Sequence, residues 1–431
     1  MARAKKEAAL TPEERLQAAL VPDWEWPYKL PENWCWTYFK SISIIQTGKK
    51  DANYGSDEGK YPFFTCAAEP IRCHGYSFDC RAILLAGNGD INNISRYNGK
   101  FEAYQRTYVV KIAEPLCFDY IFYWFKYRWF DFNKGKMFGT AIPYIRLGNL
   151  QEFPTPIPPL VEQQRIVDRI ESLFAKLDES KEKAQAVLDS FETRKAAILH
   201  KAFTGELTKK WRKSANTRWV YKKIKDCCKL GSGGTPSRKV PDFYKGDIPW
   251  IKTGEIEWND IYDTEEKITQ SAIDNSSARC YKPGVVLVAM YGMGVTRGKA
   301  SVLRVQAATN QAVCVLEPQS ALLYNRYLLY YFMRNYWDIR EKAVGGNQLN
   351  LSLTIIKELN IEIPPIDEQV EIVQILDDLF AKEQQTKEAA EAVLDQIDLM
   401  KKSILARAFR GELGTNDPSE ESAVELLKQL I

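Results

Sequence analysis

The sequence predicts a mixed α/β fold in which two globular domains are separated by two long antiparallel coiled-coil helices, related by a pseudo-twofold internal repeat. Residues 158–207 and 364–413 are identical at 25 of 50 positions, at a constant offset of 206 residues. A repeat of this length indicates a repeated structural unit. The variable segment before each copy contains short β-type runs and then an aromatic helical stretch.

Each copy of the repeat predicts one helix. Pro158 marks an extended lead-in, and Gly205 and Gly411 stand where a left-handed helix stop is expected. About 43 residues at 1.5 Å each give roughly 64 Å of helix. The heptad rows contain Ile166, Leu173, Val187, Ile170, Leu177, Ala184, Phe191 and Ile198, then Ile372, Leu379, Val393, Met400, Leu376, Ala390, Ile397 and Ile404.

Each apolar seam requires a partner, and the simplest partner is the other copy, packed antiparallel. A larger bundle or dimerisation between chains would also cover the seam. Ser180, Thr386 and Glu383 make it imperfect. A fainter match pairs the segment that starts at Trp36 with the one at Trp219, at an offset of 183, which makes the second variable segment 23 residues longer.

The variable segments predict α/β domains. The β-type runs are "YPFFTCA", "RAILLAG" and "RTYVVKI" in the first, and "GDIPWIKTG", "GVVLVAM" and "KASVLRV" in the second. The aromatic stretches "CFDYIFYWFKYRWF" and "ALLYNRYLLYYFMRNYWDI" are expected to be core helices rather than base-stacking surfaces.

Composition is that of a globular protein: 45% of the 431 residues are hydrophobic and 27% charged. No window approaches the roughly 18 apolar residues of a membrane span, and the basic N-terminus lacks a secretory signal, so we expect a cytoplasmic location without membrane contact. Nine cysteines suit a reducing compartment. Cys66, Cys73 and Cys80 with His74 are spaced too widely for a typical zinc site, and we predict no metal.

The net charge of +3 is unevenly distributed. Residues 36–157 contain 15 Lys/Arg against 11 Asp/Glu, and residues 219–363 contain 19 against 15. A local positive excess is a weak indication of nucleic-acid binding. An ordinary solvated surface would explain it nearly as well.

Motifs of catalysis are missing from the sequence. It has no phosphate-binding loop, "GSGGTPS" lacks the dinucleotide spacing, and no Asn/Asp-Pro-Pro-Tyr/Phe element occurs. His74 and His200 are the only histidines. Pro241-Asp242 with Glu265-x-Lys267 imitates a nuclease pattern, but that pattern is very loose. We therefore predict a binding protein that is not an enzyme.

Four motifs then match a known family in its order. They are "GSGGTPSRKVPDFYKGDIPWIKTGEI", "YGMGVTRGKASVLRVQAATNQAVC", "GGNQLNLSLTIIKELNIEIPPIDEQVEIV" and the twin "AF-x-GEL" endings. With "GKYPFFTCA" and "RLGNLQEFPTPIPPLVEQQRIV" in the first half, the chain resembles the specificity subunit (HsdS) of type I restriction-modification enzymes along essentially its whole length.

The resemblance implies two target recognition domains, each reading one half of a split double-stranded DNA sequence. The paired helices would set the unspecified spacer and dock two modification subunits, which methylate adenine with S-adenosylmethionine. Restriction subunits would add ATP- and magnesium-dependent translocation and cleavage. No cofactor is expected in this chain. The alternatives are a non-catalytic coiled-coil scaffold without a DNA role, and a stand-alone DNA methyltransferase or nuclease.

The resemblance also places boundaries. We expect an N-terminal tail with a short helix (1–30), the first target recognition domain (31–157), the central spacer helix (158–207), a linker (208–218), the second target recognition domain (219–363), the C-terminal spacer helix (364–413) and a C-terminal tail helix (414–431).

The expected DNA-binding residues lie in polar loops, where Arg suits guanine and Asn or Gln suits adenine. In the second domain they follow the Gly-Thr-Pro-Ser loop, and the paired glycines allow close backbone approach. The full set is Lys49, Lys50, Arg96, Tyr97, Lys100 and Arg106, then Gly233, Gly234, Thr235, Ser237, Arg238, Lys239, Lys252, Arg297, Lys299, Asn347 and Gln348. Asn310 and Gln311 could instead order a turn.

Overall fold

The structure is a computed structural model that describes residues 10–215, 218–292, 294–345 and 349–431. The chain forms two compact units. The first unit consists of Met1–Ala184 and Ala392–Ile431, and the second unit consists of Gln185–Glu391. Each unit therefore combines one variable segment with part of both long helical segments, so the domain boundaries given above remain predictions.

The helices, in chain order, are α1 (Pro12–Ala19), α2 (Phe118–Asn133), α3 (Leu147–Gln151), α4 (Leu160–Asp189), α5 (Phe191–Phe203), α6 (Lys209–Ala215), α7 (Ile224–Cys227), α8 (Gln270–Asp274), α9 (Asn325–Arg334), α10 (Tyr336–Glu341), α11 (Leu353–Lys357), α12 (Ile366–Ala408) and α13 (Ala423–Leu430). Short 3-10 turns lie at Asp23–Glu25, Phe39–Ile42, Ala52–Tyr54, Pro241–Tyr244 and Thr253–Glu255.

The strands are β1 (Cys35–Tyr38), β2 (Ser43–Thr47), β3 (Tyr61–Phe64), β4 (Ile71–Cys73), β5 (Phe78–Ala86), β6 (Ile94–Ala103), β7 (Thr107–Ile112), β8 (Pro154–Ile157), β9 (Val220–Lys223), β10 (Cys228–Ser232), β11 (Ile248–Ile251), β12 (Asp260–Ile261), β13 (Lys267–Ile268), β14 (Cys280–Tyr281), β15 (Val286–Ala289), β16 (Ala300–Leu303), β17 (Ala307–Thr309), β18 (Val313–Pro318) and β19 (Asn360–Ile363). All six β-type runs predicted from the sequence contain a strand.

The first unit is built on a six-stranded sheet of order β2-β7-β5-β6-β3-β4. Only its β3–β6 pair is parallel. One face of the sheet shares a core with α2, in which Trp124, Phe125 and Trp129 are fully buried. The prediction that the first aromatic stretch is a core helix is confirmed.

The second unit contains a five-stranded sheet of order β10-β18-β15-β16-β12 and a four-stranded sheet of order β13-β11-β17-β14. Helix α9 buries Tyr327 and Phe332 completely against the five-stranded sheet. The second aromatic stretch is therefore also a core helix.

The strand register corrects the fainter repeat. Strand β1 pairs Cys35 with Ile157, and β9 pairs Val220 with Ile363. Ile157 and Ile363 are equivalent at the offset of 206, so Trp34, and not Trp36, corresponds to Trp219. The predicted offset of 183 was wrong because "WCW" offers two tryptophans and strand pairing decides between them. The true offset is 185, which leaves a difference of 21 residues rather than 23.

The second copy of the long repeat forms one helix of 43 residues, α12, as predicted. The first copy is interrupted, because α4 ends and α5 begins on either side of Ser190. The Ser190 hydroxyl donates a hydrogen bond of 2.7 Å to the carbonyl of Ala186, and such back-bonding bends helices. Gln396, a better helix former, stands at the corresponding position.

Both helical segments stop at the predicted glycines. Gly205 has a φ of +74° and Gly411 a φ of +72°. The amide of the following residue then reaches back to a helix carbonyl, at 2.9 Å from Glu206 to Lys201 and at 2.8 Å from Glu412 to Arg407. This left-handed turn satisfies carbonyls that the helix end leaves unpaired.

The predicted heptad rows are only partly correct. Val393 and Met400 are 40% and 45% exposed. A straight helix drifts about 20° per heptad, so a strict seven-residue row leaves the contact face. The members of the rows that are buried are Ile166, Ile170, Ala184, Ile372, Leu376, Ala390 and Ile397.

In the first unit the two helical segments run antiparallel. Ile166 shares a core with Phe409, whereas Asp178, farther along α4, pairs with Lys401 at 2.6 Å. Residue numbers therefore rise along one segment where they fall along the facing segment. This confirms intrachain pairing for the part of the helices that belongs to this unit.

The second unit repeats the antiparallel pairing. Phe203 shares a core with Leu376, and Arg194 Nε donates to Glu383 Oε2 at 2.8 Å. Glu383, which interrupts the apolar row, is therefore the partner of a cation on the facing helix.

A buried glutamate fastens each variable segment to the start of its long helix. In the first unit Glu162 Oε2 accepts hydrogen bonds from Trp34 Nε1 at 2.8 Å and Asn416 Nδ2 at 2.9 Å, and Oε1 accepts one from Thr415 at 3.2 Å. Burial raises the pKa of the Glu162 carboxyl, although these hydrogen bonds act in the opposite direction.

Glu368, the equivalent residue of the second unit, is also fully buried. It accepts hydrogen bonds from Trp219 Nε1 at 3.0 Å, Thr208 Oγ1 at 2.7 Å and Arg212 Nη2 at 2.8 Å. Each unit has its own tryptophan–glutamate contact, and the second unit adds the contact with Arg212.

The neighbouring glutamines make a second contact that is repeated in the two units. Gln163 Oε1 accepts a hydrogen bond from the amide of Cys117, and Gln369 Oε1 accepts one from the amide of Tyr324, both at 2.8 Å. Cys117 and Tyr324 are the N-cap residues of α2 and α9. Each Glu-Gln pair thus links a long helix to both the first strand and the aromatic helix of its unit.

Candidate nucleic-acid interface

The loop that follows β10 in the second unit is held tightly against β17. A Cβ on Gly233 would lie 1.7 Å from the carbonyl oxygen of Thr309, and a Cβ on Gly234 would lie 2.1 Å from Ser277 Oγ. Both glycines are buried. The close approach seen at these glycines is to the protein's own chain.

The first unit has the same close contact. Strands β2 and β10 correspond at the offset of 185, so Gly48 is equivalent to Gly233. A Cβ on Gly48 would lie 1.9 Å from the carbonyl oxygen of Ala103, and Ala103 is equivalent to Thr309 at the offset of 206. Lys49 and Lys50 therefore occupy the positions of Gly234 and Thr235.

The guanidinium of Arg238 lies over two aromatic rings in the second unit. Its guanidinium carbon is 4.0 Å from the ring centroid of Tyr244 and 5.3 Å from that of Trp250. Its Nη2 donates to Glu266 Oε2 at 2.7 Å, and this bond lowers the pKa of the Glu266 carboxyl. The hydroxyl of Tyr244 donates to the carbonyl of Pro236 at 2.6 Å, which fixes the loop to the same surface.

The carboxylate of Glu266 also attracts Lys252. Lys252 Nζ lies 3.7 Å from Glu266 Oε1 and 3.8 Å from Glu265 Oε2. The structure thus brings Lys252 and Arg238, which are distant in sequence, to one acidic residue.

Thr235, Ser237 and Lys239 are exposed, whereas Pro236 is buried. Thr235 donates its hydroxyl to Gln311 Oε1. Ser237 and Lys239 are linked by a hydrogen bond of 3.4 Å from the Lys239 amide to Ser237 Oγ, and Lys239 has no ion-pair partner among the described residues. Asn310 orders the neighbouring turn, because its Oδ1 accepts from the amide of Ala312 at 3.0 Å.

Arg297 and Lys299 are less available for contact with DNA than the sequence suggested. Arg297 donates to the carbonyl of Leu349, and burial together with the charge of Arg340 lowers its pKa. Lys299 is ion-paired with Glu257, and its side chain is only 12% exposed. Asn347 and Gln348 lie outside the described residues.

In the first unit Lys49, Lys50 and Arg106 lie in adjoining loops. The amide of Gln105 donates to the carbonyl of Lys50 at 2.9 Å, so the β6–β7 turn and the loop after β2 are directly linked. Lys50 Nζ lies 4.4 Å from the ring centroid of Tyr54. Three candidate cations are therefore brought together at one end of the sheet.

The other first-unit candidates do not join them. Arg96 is ion-paired with Asp119, and its guanidinium lies 4.8 Å from the ring centroid of Phe122 in α2. Tyr97, the next residue of β6, points to the opposite face, where its ring lies 5.4 Å from that of Phe64.

Lys100 also lies apart from the loop cluster. Its Nζ lies 4.8 Å from the ring centroid of Tyr76, and a hydrogen bond to that residue raises the pKa of Lys100. Alternation along β6 thus distributes these residues over two faces.

Sequence reasoning missed two further features of this surface. Glu266 was not singled out, although it contacts both Arg238 and Lys252. Gln105 and Gln311 are equivalent at the offset of 206, and both bond to the loop after β2 or β10. The repeat would have revealed this pair if it had been extended to the strands.

The described residues do not assemble either the cysteine cluster or the nuclease-like pattern into a site. Cys73 is buried and donates its thiol to the carbonyl of Gly75 at 3.0 Å, and Cys66 Sγ lies 3.5 Å from the carbonyl of Arg106. No group of three His, Cys, Asp or Glu side chains in the described residues could hold a metal ion. In the nuclease-like pattern, Asp242 pairs with Lys245 and Lys267 with Asp263.

No helix in the described part of the chain is long and apolar enough to cross a membrane. The fold resembles the crystal structure of the HsdS subunit from Thermoanaerobacter tengcongensis, with a TM-score of 0.63 and 18% identity, over 90% of this chain and 100% of that one. A chain from a study of type I restriction-modification complex assembly gives a TM-score of 0.62 at 18% identity, with the same coverage.

Sequence relatives agree with the fold. The type I restriction enzyme EcoDI specificity subunit of Escherichia coli is 27% identical over 398 residues, which cover 86% of each chain. The EcoKI specificity subunit of Escherichia coli strain K12 is 26% identical over 289 residues, 64% of this chain and 61% of that one.

The model of the type I restriction modification DNA specificity domain matches twice, at residues 31–189 and 216–394. Each match covers one variable segment and most of the long helix that follows it. This chain therefore belongs to the type I restriction-modification DNA specificity family, as a non-catalytic specificity subunit that recognises DNA sequence.

Proposed function

We propose that this specificity subunit recognises a two-part DNA sequence, with each unit reading one half. The proposal rests on one observation: the loop after β2 and the loop after β10 have the same close backbone contact but carry different side chains. Gly48 and Gly233 fix equivalent backbones, yet the next two residues are two lysines in one unit and glycine and threonine in the other. Equivalent loops with different side chains favour two half-sites of different sequence.

In the second unit the proposed contacts are Thr235, Ser237, Arg238, Lys239 and Lys252. The Arg238 guanidinium lies on two rings and is oriented by Glu266, and a planar, fixed donor of this kind suits guanine. Exposed Lys239 suits a phosphate, which positions the protein without reading sequence.

In the first unit Lys49, Lys50 and Arg106 are the proposed primary contacts, because they occupy linked loops. The other predicted residues are secondary, because those of β6 lie apart from the linked loops, Arg297 donates to a backbone carbonyl and Lys299 is largely buried. They are Arg96, Tyr97, Lys100, Arg297 and Lys299, with Gly233, Gly234, Asn347 and Gln348 retained from the sequence alone.

The paired helical segments are proposed to set the spacer between the half-sites. Helix α12 continues without interruption through 43 residues and contributes to both units. A continuous helix is a stiff connection, and its length rises by 1.5 Å per residue.

Specificity subunits of type I systems bind DNA and assemble with methylase and restriction subunits. For this chain we propose two modification subunits that use S-adenosylmethionine, and restriction subunits that use ATP and magnesium. We also propose a cytoplasmic location, where these partners would meet DNA.

Methylome sequencing tests the proposal. A host that lacks its own methylation would express this chain with its modification partner, and a control host would express the partner alone. We expect one split adenine-methylated sequence that depends on this chain. Methylation of a single uninterrupted sequence, or identical methylation in the control host, would contradict the proposal.

Assays of the purified chain separate the rival functions. DNA cleavage or S-adenosylmethionine binding by the chain alone would indicate a nuclease or methyltransferase. Absence of salt-dependent DNA binding in the assembled complex would indicate a scaffold without a DNA role.

A further inference from the structure

A short hairpin between α2 and α3 extends the candidate interface of the first unit. Phe138 and Tyr144 exchange two backbone hydrogen bonds of 2.9 Å each, and these bonds close the tip Gly139–Pro143. Gly139 has a φ of +83°, and a Cβ there would lie 2.7 Å from the carbonyl oxygen of Ile142. The tip is therefore tightly closed.

The base of this hairpin is fastened to the loops that carry the candidate cations. The amide of Gly89 donates to the carbonyl of Pro143 at 2.8 Å, and the amide of Ile145 donates to the carbonyl of Gly87 at 2.9 Å. Gly87 in turn donates to the carbonyl of Arg106 at 2.8 Å. The hairpin thus belongs to the same end of the sheet as Arg106.

The tip presents an apolar side chain next to a fixed cation. Thr140, Ala141 and Ile142 are exposed, and Ile142 is 60% exposed. The guanidinium carbon of Arg146 lies 3.9 Å from the ring centroid of Phe138, and no carboxylate pairs with Arg146 in the described part of the chain. By contrast, Arg96 is neutralised by Asp119. Arg146 keeps its charge available for a phosphate.

The second unit has an equivalent backbone bridge at the offset of 206. Val344 and Asn350 exchange two backbone hydrogen bonds of 3.0 Å each, as Phe138 and Tyr144 do. Between the bridged residues the sequence has Thr140-Ala141-Ile142 in the first unit, and at the same offset it has Gly346-Asn347-Gln348, which lie outside the described residues. The sequences between the two bridges therefore differ in chemistry, apolar in one and amide in the other.

This contrast matches the way bases differ in the major groove. That groove admits a two-stranded ribbon, thymine presents a methyl group there, and amide side chains pair with adenine. We propose that the hairpin of residues 137–145 enters the major groove of the half-site read by the first unit, where Ile142 contacts the methyl group of a thymine and Arg146 contacts a phosphate. This inference rests on the proposed function and assigns a base-reading element to it.

The test combines a protein change with removal of the thymine methyl group. The complete chain, assembled with its modification partner, binds its target and a series of targets in which each thymine of the first half-site is replaced by uracil. For the wild-type complex we expect one uracil to weaken binding about fourfold, which is the effect of losing one buried methyl group. For Ile142→Ala we expect weaker binding to the thymine target and no further loss with uracil.

Ile44→Ala is the matched control, because Ile44 lies in the same unit and is also 60% exposed; it should retain the full uracil effect. A wild-type complex without any sequence preference would overturn the proposed function itself. If the wild-type complex is selective, three results would overturn only the hairpin assignment: a first half-site without thymine, no uracil effect, or an equal uracil effect in Ile142→Ala.

Discussion

The indole Nε1 of Trp34 donates a hydrogen bond of 2.8 Å to the buried carboxylate of Glu162, and Trp219 makes the equivalent bond of 3.0 Å to Glu368. The two carboxylates differ in what else surrounds them. Glu368 also receives Arg212 at 2.8 Å, whereas the hydrogen bonds to Glu162 come from neutral donors.

Glutamine substitutions should separate these two environments. In Glu162→Gln the amide oxygen can still accept from Trp34 and Asn416, so we expect the free energy of unfolding to change by less than about 1 kcal/mol. Glu368→Gln leaves the half-buried Arg212 without its counter-charge, and we expect a loss of about 1 to 2 kcal/mol. Urea unfolding of the full chain measures both, and equal losses would contradict the comparison.

Glu162 should also make stability depend on pH. Burial raises its pKa in the folded protein, so the folded state holds the proton more tightly than the unfolded chain. The contribution of Glu162 to stability therefore falls as pH rises from the unfolded pKa, about 4.3, through the raised folded value, and is constant above it. The difference in urea midpoint between wild type and Glu162→Gln, measured from pH 5 to pH 8, should show this fall. A constant difference would argue against it.

Replacement of residues 36–157 by the corresponding segment of another specificity subunit should change one half of the methylated sequence. The other half should be retained, because the second unit has its own sheets and core. Methylome sequencing gives both halves at once. A change in both halves, or in neither, would show that the units do not read independently.

Arg238→Ala should weaken DNA binding by about 1 to 3 kcal/mol and reduce discrimination at one base pair. Glu266→Gln should instead strengthen non-specific binding and steepen its salt dependence, because it removes a negative charge 2.7 Å from that guanidinium. Lys245→Ala is a suitable control, since Lys245 is exposed and already paired with Asp242. Binding titrations at several salt concentrations distinguish these effects, and equal behaviour of the arginine variant and the control would refute the assignment.

Insertion of seven helical residues after Ala184 and after Glu391 should lengthen the spacer in the recognised sequence. These points are where the chain passes from one unit to the other. Two helical turns add about 10 Å, which corresponds to roughly three base pairs. Methylome sequencing of the double insertion measures the spacer, and an unchanged length would rule out the helices as its determinant.

The sequence predicted the elements that depend on repetition and periodicity. The glycine stops, the β-type runs, the aromatic core helices and the continuous α12 are all found. Its errors have different causes, and strict heptad rows were wrong in part because a straight helix drifts away from them. The first helical segment breaks at Ser190, and Trp34 rather than Trp36 is the equivalent of Trp219, because strand pairing fixes the register.

The candidate site was harder to predict, because residue type alone does not distinguish a free cation from a paired one. Lys299 and Arg96 have the same chemistry as Lys239 and Arg146, and only the fold shows that Glu257 and Asp119 occupy the first two. Similarly, Gly233 signals a close approach in sequence, but only the position of Thr309 shows which surface is approached.

The Trp34–Glu162 contact has an evolutionary consequence. Both residues lie outside the segment 36–157, so gene recombination that replaces this segment would retain the contact that seats a new domain on the helix. The related stretches 158–207 and 364–413 would supply sequence similarity for such crossovers. A new DNA specificity could then arise by shuffling existing domains, without a period of instability in the inherited helical scaffold.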